Sequence, residues 1–334
     1  MVTATSGWRY GSDSVEYTSN GGETWSVVTP PGWTQGSIFG SFFSSGISAI
    51  VVDGTTPEVF TTQDDGAHWI SSPLPLNLPI ATPISVDFVG QTGWVMMVSN
   101  AAAGAQEDAI YRTSDAGAHW TQVGSTRWST HSTSAIAPGG YKTGIAFASA
   151  LDGWATISNC CLQGHADLYM TQDGGTTWRT QSLPVSAQFE SFTSTTLPPT
   201  FLSSQDGVLP VVFDSTDGKT HDLALFHTVD GGITWHEGTA VPVAPSSSAP
   251  LGEPGAILAT APPDDAWVWD GTELQITDNA GATWRVLSSS TSLHDVTQVD
   301  FVSPSVGFAL LNGSTSGWNI LQTKDGGNTW TSLS

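Results

Sequence analysis

The stretch Thr171-Gln172-Asp173-Gly174-Gly175-Thr176-Thr177-Trp178 decides the fold of this chain, because six other segments repeat it. All seven copies fit Ser/Thr–x–Asp–x–Gly–x–Thr–Trp, with Asn at the third position of two copies (Asn20, Asn279) and His at the seventh position of two others (His68, His119). The copies end at Trp25, Trp69, Trp120, Trp178, Trp235, Trp284 and Trp330, which lie 44 to 58 residues apart. Such a spacing is typical of an array of identical supersecondary units.

The motif has the chemistry of a tight turn between two β-strands. Its Asp or Asn can bind the backbone ahead, and Gly adopts the positive φ that other residues resist. Strands are predicted before the motifs at 108–112, 167–170, 222–226 and 318–322, and after them at 120–123 and 330–333. The acidic or amide positions assigned to this structural set are Asp64, Asp115, Asp173, Asp230, Asn279 and Asp325. We expect each motif Trp to pack against the neighbouring unit, since one thin sheet cannot bury it.

A second sequence pattern recurs along the chain, at a fixed place relative to the motif. A Phe ends one strand and Gly-Trp or a variant opens the next, as in Phe88 to Gly93-Trp94, Phe147 to Gly153-Trp154, and Phe301 to Gly307-Phe308. Each unit therefore reads as four antiparallel strands, and seven units predict an all-β chain folded as one seven-bladed β-propeller. The predicted blades span residues 1–29, 37–72, 83–123, 143–183, 197–239, 254–287 and 296–334. In the first blade Val2 takes the place of Phe88, which leaves only a stub of the inner strand.

These residues resemble the Asp-box, or BNR, repeat propellers, a superfamily that includes sialidases, two-propeller xyloglucan hydrolases, sortilin-type receptors and photosystem II assembly factors. The pairing of a Phe to Gly-Trp step with an Asp box in every unit is most similar to the assembly-factor group. The resemblance covers the whole chain and implies that the Asp boxes are scaffold, at the blade edge away from the ligand site. It implies architecture more than activity, since one fold hosts unrelated functions. The assembly-factor group is thought to hold its partner on a basic patch, which eight basic residues spread over seven blades do not supply.

The amino-acid composition limits the possible binding partners and the expected location of the protein. Charged residues make up 11% of the 334 residues, with 8 basic and 30 acidic side chains and a net charge of −22. So few cations exclude electrostatic binding of nucleic acid or of an anionic membrane, and no apolar run has membrane-spanning length. A chain rich in Ser, Thr, Gly and Trp is expected to be extracellular or at a bacterial cell surface, and its low-charge acidic surface suits an acidic medium.

The start of the chain leaves two interpretations open. A signal or an anchor precedes Met1 in a longer secreted or surface protein, or the first blade has a short first strand. The two cysteines, Cys160 and Cys161, are adjacent. In an oxidising setting a vicinal disulfide is slightly favoured over two free thiols, and a metal site with His165 is the weaker alternative because the spacing matches no zinc pattern.

Long loops point to the functional end. In a propeller the blade-to-blade connections and the loops between second and third strands share one face, and here they carry most of the insertions. Aromatic rings among amides and hydroxyls suit a sugar or an extended peptide. The candidate ligand-binding residues are Trp33, Arg127, Trp128, His131, Tyr141, Cys160, Cys161, His165 and Trp318. The alternative for Trp33 and Trp128 is that each fills a small loop core.

Enzymatic activity is the competing interpretation. A sialidase needs three converging arginines, and of the five arginines only Arg127 lies on the long-loop face. Another glycoside hydrolase would need two carboxylates about 5 to 9.5 Å apart, and Glu107, Asp108, Glu190, Asp214, Asp217, Asp222, Glu237 and Glu253 lie on the correct face. The turn at 214–218 resembles half of a calcium loop without its terminal Glu.

The sequence therefore predicts a non-enzymatic secreted or cell-surface propeller that binds a glycan or a protein partner, as a module of a larger surface protein. No cofactor, metal, nucleic acid or membrane insertion is expected. A glycoside hydrolase and a structural unit of an extracellular assembly are the alternatives.

Overall fold

The computed structural model describes residues 1–10, 14–33, 38–52, 56–75, 82–127, 135–243, 257–262, 264–270, 272–288, 293, 296–311 and 319–333. These residues form 29 β-strands and one short 3₁₀ turn at Ala187–Phe189, so the chain is all-β as predicted. No described helix is long and apolar enough to cross a membrane.

The strands fall into seven consecutive groups, one for each copy of the motif, which we call repeats 1 to 7. Repeats 1 to 3 comprise β1 (Gly7–Tyr10), β2 (Val15–Thr18), β3 (Ser26–Val27); β4 (Ile38–Phe43), β5 (Ser48–Val52), β6 (Glu58–Thr62), β7 (Ile70–Pro73); and β8 (Thr82–Val89), β9 (Thr92–Val98), β10 (Asp108–Thr113), β11 (Thr121–Thr126). Repeat 4 comprises β12 (Tyr141–Phe147), β13 (Gly153–Gln163), β14 (Asp167–Thr171) and β15 (Arg179–Ser182).

The remaining three repeats follow the same order. Repeat 5 comprises β16 (Phe192–Thr196), β17 (Thr200–Phe201), β18 (Gly207–Ser215), β19 (His221–Thr228), β20 (His236–Glu237) and β21 (Val241–Pro242). Repeat 6 comprises β22 (Ile257–Ala261), β23 (Asp265–Trp269), β24 (Leu274–Thr277) and β25 (Arg285–Leu287). Repeat 7 comprises β26 (Val296–Phe301), β27 (Gly307–Leu311), β28 (Asn319–Thr323) and β29 (Thr331–Leu333).

Most repeats are antiparallel four-stranded sheets whose strands pair in chain order. Repeats 2, 3, 6 and 7 each form a separate sheet of this kind, and repeat 1 has three described strands. Repeats 4 and 5 share one sheet, because the long strand β13 pairs with β12 and β14 and, beyond them, with β16. Among the described strands this is the one place where the sheets of neighbouring repeats pair. Elsewhere the repeats are joined by side-chain packing and by single backbone hydrogen bonds, such as that from Thr239 N–H to Gly281.

The motif turns have one hydrogen-bond pattern in all seven repeats. The first Thr donates its hydroxyl to the carboxylate or amide oxygen at the third position over 2.7–2.9 Å. It accepts the Gly N–H of the fifth position over 2.9–3.1 Å. The third side chain also accepts the N–H of the seventh residue over 2.8–3.0 Å. Since the fifth residue has a φ of 79–99°, Gly is required there.

The core lies between the repeats. Six apolar clusters each join two consecutive repeats, and the motif residues Trp120, Trp178, Trp235 and Trp330 belong to four of them. Trp235, for instance, contacts Trp154 of repeat 4 edge-on, with ring centroids 6.4 Å apart. This confirms that motif tryptophans pack against the neighbouring unit.

The register at the start of repeat 1 differs from the sequence alignment. In repeats 3, 4, 5 and 7 a Phe ring covers the Gly near the start of the second long strand, as Phe147 covers Gly153. In repeat 1 the side chain of Met1, not Val2, covers the corresponding Gly7. The Val2 N–H binds the Ser6 carbonyl, as the Ala148 N–H binds Asp152. Turn length explains the error, because Phe88 precedes its Gly by five residues whereas Phe147 precedes its Gly by six.

Candidate functional site

Each repeat has two different ends. At one end the motif turn binds the turn between the first and second strands, as in the 2.9 Å bonds from Gly174 N–H to Leu151 and from Gly326 N–H to Ser305. The other end carries the loops between second and third strands and the connections between repeats. We call the first the motif end and the second the long-loop end. The division matches the one expected from the sequence.

A buried charged pair lies at the long-loop end between repeats 3 and 4. The Lys142 side chain is fully buried and its Nζ donates to the carbonyls of Gln106 (2.9 Å) and Ala137 (2.8 Å). Its backbone N–H donates to Gln106 Oε1 over 2.9 Å. Asp108 Oδ2 lies 3.9 Å from Nζ. Lys142 therefore fixes two separate loop segments against the start of β12.

Burial shifts the protonation of both members of this pair. Desolvation raises the pKa of Asp108 to about 7, although the positive charge of Lys142 opposes the shift. Desolvation likewise lowers the pKa of Lys142 to about 8, opposed by Asp108. Asp108 Oδ2 is buried and makes no hydrogen bond with the described residues. Groups that titrate near neutrality are frequent at functional sites, but structural pairs show the same shifts.

A small cavity adjoins Asp108. It has a volume of about 170 Å³, and its walls include Asp108, Thr126 and Ile136 from one side and Thr176 and Trp178 from repeat 4. The Thr126 hydroxyl donates to the Ile136 carbonyl. The side chain of Asp108 is only 2% exposed. A bulky substrate therefore has no direct access to this carboxylate in the present conformation.

The structure places the predicted ligand-binding residues in several different surroundings. Tyr141 begins β12 and Arg127 directly follows β11, so both flank the Lys142 anchor. His165 lies exposed in the turn before β14, and its carbonyl accepts the Ser194 hydroxyl over 2.5 Å. Trp33 is half-buried and packs against the apolar cluster of Val15, Ile50, Val52 and Phe60. Trp128, His131, Trp318 and the side chains of Cys160 and Cys161 lie outside the described residues.

Three of the other predicted long-loop carboxylates are held by local partners, and Glu253 lies outside the described residues. Asp214 Oδ1 lies 2.5 Å from His221 Nδ1 across the β18–β19 hairpin. At the tip of this hairpin Asp217 Oδ1 accepts the Ser215 hydroxyl (2.9 Å), and its Oδ2 lies 3.0 Å from Lys219 Nζ. Glu237 accepts both the N–H and the hydroxyl of Ser186. Within the described part of the chain no group of three or more His, Cys, Asp or Glu side chains is arranged to hold a metal.

Two polar residues important for the inter-repeat junctions were not singled out from the sequence. Asp87 accepts the N–H of Phe88 (2.9 Å) and that of Phe147 in the next repeat (2.6 Å). Gln106 supplies two acceptors to Lys142. Asp87 could have been found from the sequence, because Val-Asp-Phe recurs at the end of a first strand at 86–88 and 299–301. Nothing in the sequence marks Gln106.

Comparison with solved structures agrees with the architecture. The structure of YCF48 bound to D1 peptide aligns with a TM-score of 0.53 at 19% identity, over 91% of this chain and 83% of that one. YCF48 from Cyanidioschyzon merolae aligns with a TM-score of 0.52 at 15% identity, over 90% and 86%. A GH93 α-L-arabinofuranosidase of Fusarium graminearum, in complex with arabinobiose, aligns with a TM-score of 0.50 at 10% identity, over 85% and 90%. No protein-family model and no curated protein matches the chain.

These likenesses concern the fold alone, because all the identities are below 25%. The chain has an all-β fold of the β-propeller type. Its structural neighbours include binding proteins and carbohydrate-active enzymes, so function has to be argued from the chain's own residues.

Proposed function

We propose that this chain is a secreted or cell-surface seven-bladed Asp-box propeller that binds a glycan or a protein partner through its long-loop end, without catalysis. The seven motif turns share one hydrogen-bond pattern at the opposite end, which supports a structural role for them. The sparse basic residues and the net charge of −22 argue against a nucleic-acid partner.

The observation that carries the proposal is the anchoring of the long-loop end by Lys142. A fully buried Lys is rare unless its charge is satisfied, and here its ammonium is bound by carbonyls from two segments. Such an anchor holds flanking side chains in fixed positions, which reduces the entropy lost when a ligand binds. Arg127 and Tyr141 flank it and supply a cation and an aromatic ring, the groups that recognise sugars and peptides.

A glycoside hydrolase is the second candidate, and one observation favours it. The raised pKa of Asp108, caused mainly by burial, is a property of general acids in such enzymes. The burial of its side chain and the local partners of Asp214, Asp217 and Glu237 favour a binding role instead.

A glycan array with a cleavage assay on each spot tests both functions. Binding without cleavage is expected, and Tyr141→Ala or Trp128→Ala should weaken it about tenfold, as loss of one aromatic contact does. Ile233→Ala is the matched control, because Ile233 is 62% exposed in a motif turn. Cleavage that is lost in Asp108→Asn would establish the hydrolase instead. A blank array would leave a protein partner, to be sought by crosslinking at Tyr141.

A further inference from the structure

A crevice between repeats 3 and 4 leads to the carboxylate of Asp108. It is the cavity of about 170 Å³ described above, and its outer walls are formed by β11 and by the motif turn of repeat 4. Thr176 of that turn is exposed, and Val123, Gly124 and Ser125 of β11 are half-buried, whereas Asp108 is buried. The crevice therefore reaches solvent beside the motif turn and ends at Asp108, which gives a small molecule a path that a bulky substrate lacks.

The direction of the Asp108 side chain follows from its place in β10. Successive side chains of a strand point to opposite faces, so Asp108 and Ile110 point to the same side. Ile110 belongs to the apolar cluster that joins repeats 3 and 4, together with Phe147 and Trp178. Since Asp108 and Ile110 both line the crevice, the carboxylate faces the space between the two repeats.

One oxygen of this carboxylate lacks a hydrogen-bond donor. Hydrogen bonds from Thr126 favour the charged form of Asp108, but Oδ2 is buried and makes no hydrogen bond with the described residues. The Lys142 Nζ lies 3.9 Å away, which is too far for a hydrogen bond. A buried acceptor without a donor costs free energy. The crevice therefore favours a molecule that brings a donor to Oδ2.

Other polar groups on the walls already have partners. The hydroxyls of Thr126 and Thr176 and the indole N–H of Trp178 all donate to backbone carbonyls. A water molecule needs two or more polar partners, whereas among these side chains and Asp108 one oxygen is left. The walls suit an amphipathic molecule better than water, since much of their surface is apolar. This apolar surface comes from Ile110, Val123, Ile136 and Trp178.

We propose that this crevice binds a small neutral molecule with one O–H donor and an apolar body, of the class of phenol. Its hydroxyl donates to Asp108 Oδ2, and an ionised acceptor makes such a hydrogen bond stronger. An apolar cavity of about 150 Å³ takes up benzene, so about 170 Å³ accommodates a ring with one more oxygen. A neutral donor is preferred to a cation, because the Lys142 ammonium already lies beside the carboxylate. The site does not depend on glycan or protein binding at the long-loop end.

Fluorinated probes measure this binding directly. Para-fluorophenol is titrated with the 334-residue chain at a pH above the pKa of Asp108, which is about 7, and its fluorine NMR signal is followed. Saturable binding is expected. Fluorobenzene lacks the hydroxyl and should bind at least about tenfold more weakly, because it leaves Oδ2 without a donor. No saturable binding of para-fluorophenol, or equal binding of fluorobenzene, would overturn the proposal. Tighter binding of para-fluorobenzylammonium would also overturn it and would assign a cation site.

A larger side chain at the solvent end of the crevice locates the site. Thr176 holds the sixth position of its motif turn, where other copies have Glu, Ala, Ile or Asn, so the turn should tolerate Thr176→Trp. This variant should bind para-fluorophenol at least about tenfold more weakly. Ile233→Trp is the matched control, because Ile233 holds the same position in repeat 5, is 62% exposed and does not line the crevice. Ala135→Trp narrows the crevice from the repeat 3 side and replaces Thr176→Trp if that variant unfolds. Unchanged binding by a folded blocking variant would contradict the proposal.

Asp108→Asn tests the carboxylate itself. The amide keeps the shape of the side chain but carries no charge, so the hydrogen bond from the ligand is weaker. Binding of para-fluorophenol should fall about tenfold, whereas binding of fluorobenzene should stay the same and shows that the crevice is intact. Equal binding of para-fluorophenol by the wild type and by folded Asp108→Asn would place its hydroxyl elsewhere and overturn the proposal.

Discussion

The junction of repeats 3 and 4 and the seam of repeats 7 and 1 share one register but differ in packing. Met96 and Leu310 occupy the same place, three residues after the opening Gly, and Ile110 and Ile320 face them from the third strand. Met96 and Ile110 are 0% and 1% exposed, whereas Leu310 and Ile320 are only half-buried. The difference follows from β12, which covers the first pair, and from the edge of β1 beside the second, with which no described strand pairs. A repeat can therefore have correct turns and correct register and still lack a closed core.

The largest expected effect comes from truncating the two matched side chains. Met96→Ala should lower the free energy of unfolding by about 2–5 kcal/mol, because it leaves a cavity in a closed core. Leu310→Ala should cost about 1 kcal/mol, because Leu310 is only half-buried and lines an open groove between repeats 7 and 1. Urea denaturation of both variants and of the exposed control Leu151→Ala measures the difference. Equal costs for Met96 and Leu310 would show that the seam is as well packed as the junction.

The buried carboxylate of Asp87, at the junction of repeats 3 and 4, should make the stability of the fold depend on pH. Burial raises the pKa of Asp87 to about 6 from 3.8, although two backbone N–H groups oppose the shift. A carboxyl with a raised pKa in the folded state stabilises the fold fully below pH 4, and this stability is lost as the pH rises through 6. The loss is about 2–3 kcal/mol, and Asp87→Asn should abolish it. Urea midpoints from pH 4 to 7 measure the slope, with the exposed Asp206→Asn as control. A wild-type slope that Asp87→Asn retains would assign the pH dependence to other groups.

The motif turns of repeats 4 and 1 should contribute equally to the stability of the fold. Thr171 and Thr18 are each 1% exposed, and each hydroxyl bonds the third and fifth residues of its turn. Thr171→Val and Thr18→Val should each cost about 1–2 kcal/mol, because buried donors and acceptors lose their partner. Thr→Ser at either position keeps the hydroxyl and should cost less. A much smaller loss at Thr18 than at Thr171 would mean that the turn of repeat 1 is not coupled to the rest of the fold.

Local and distant interactions explain how much could be predicted from sequence. The motif turns and the strands beside them were predicted correctly, for example β10 and β14, because the side-chain hydrogen bonds of each turn close within the eight residues of the motif. The register of Met1 was wrong, since only contacts with Gly7 and Asp300 reveal it. The burial of Lys142 was also missed, because its acceptors, Gln106 and Ala137, come from loops without a motif. The ligand-binding roles assigned to the long-loop residues stay predictions.

The smallest effect is expected from replacing an exposed Asp of a motif turn by Asn. Two of the seven copies already have Asn at this position. The hydrogen bond from His68 is the main reason that the pKa of Asp64 is lowered to about 2. An acid with a lowered pKa stabilises the fold above pH 4, and this contribution is lost as the pH falls through 2. In repeat 6, Asn279 binds the same backbone N–H and donates to Thr283 over 2.8 Å, so the turn tolerates an amide. Asp64→Asn should therefore leave the urea midpoint at pH 7 nearly unchanged and flatten its decline between pH 4 and 2. A large loss at pH 7 would mean that the His68 contact contributes more than an exposed ion pair usually does.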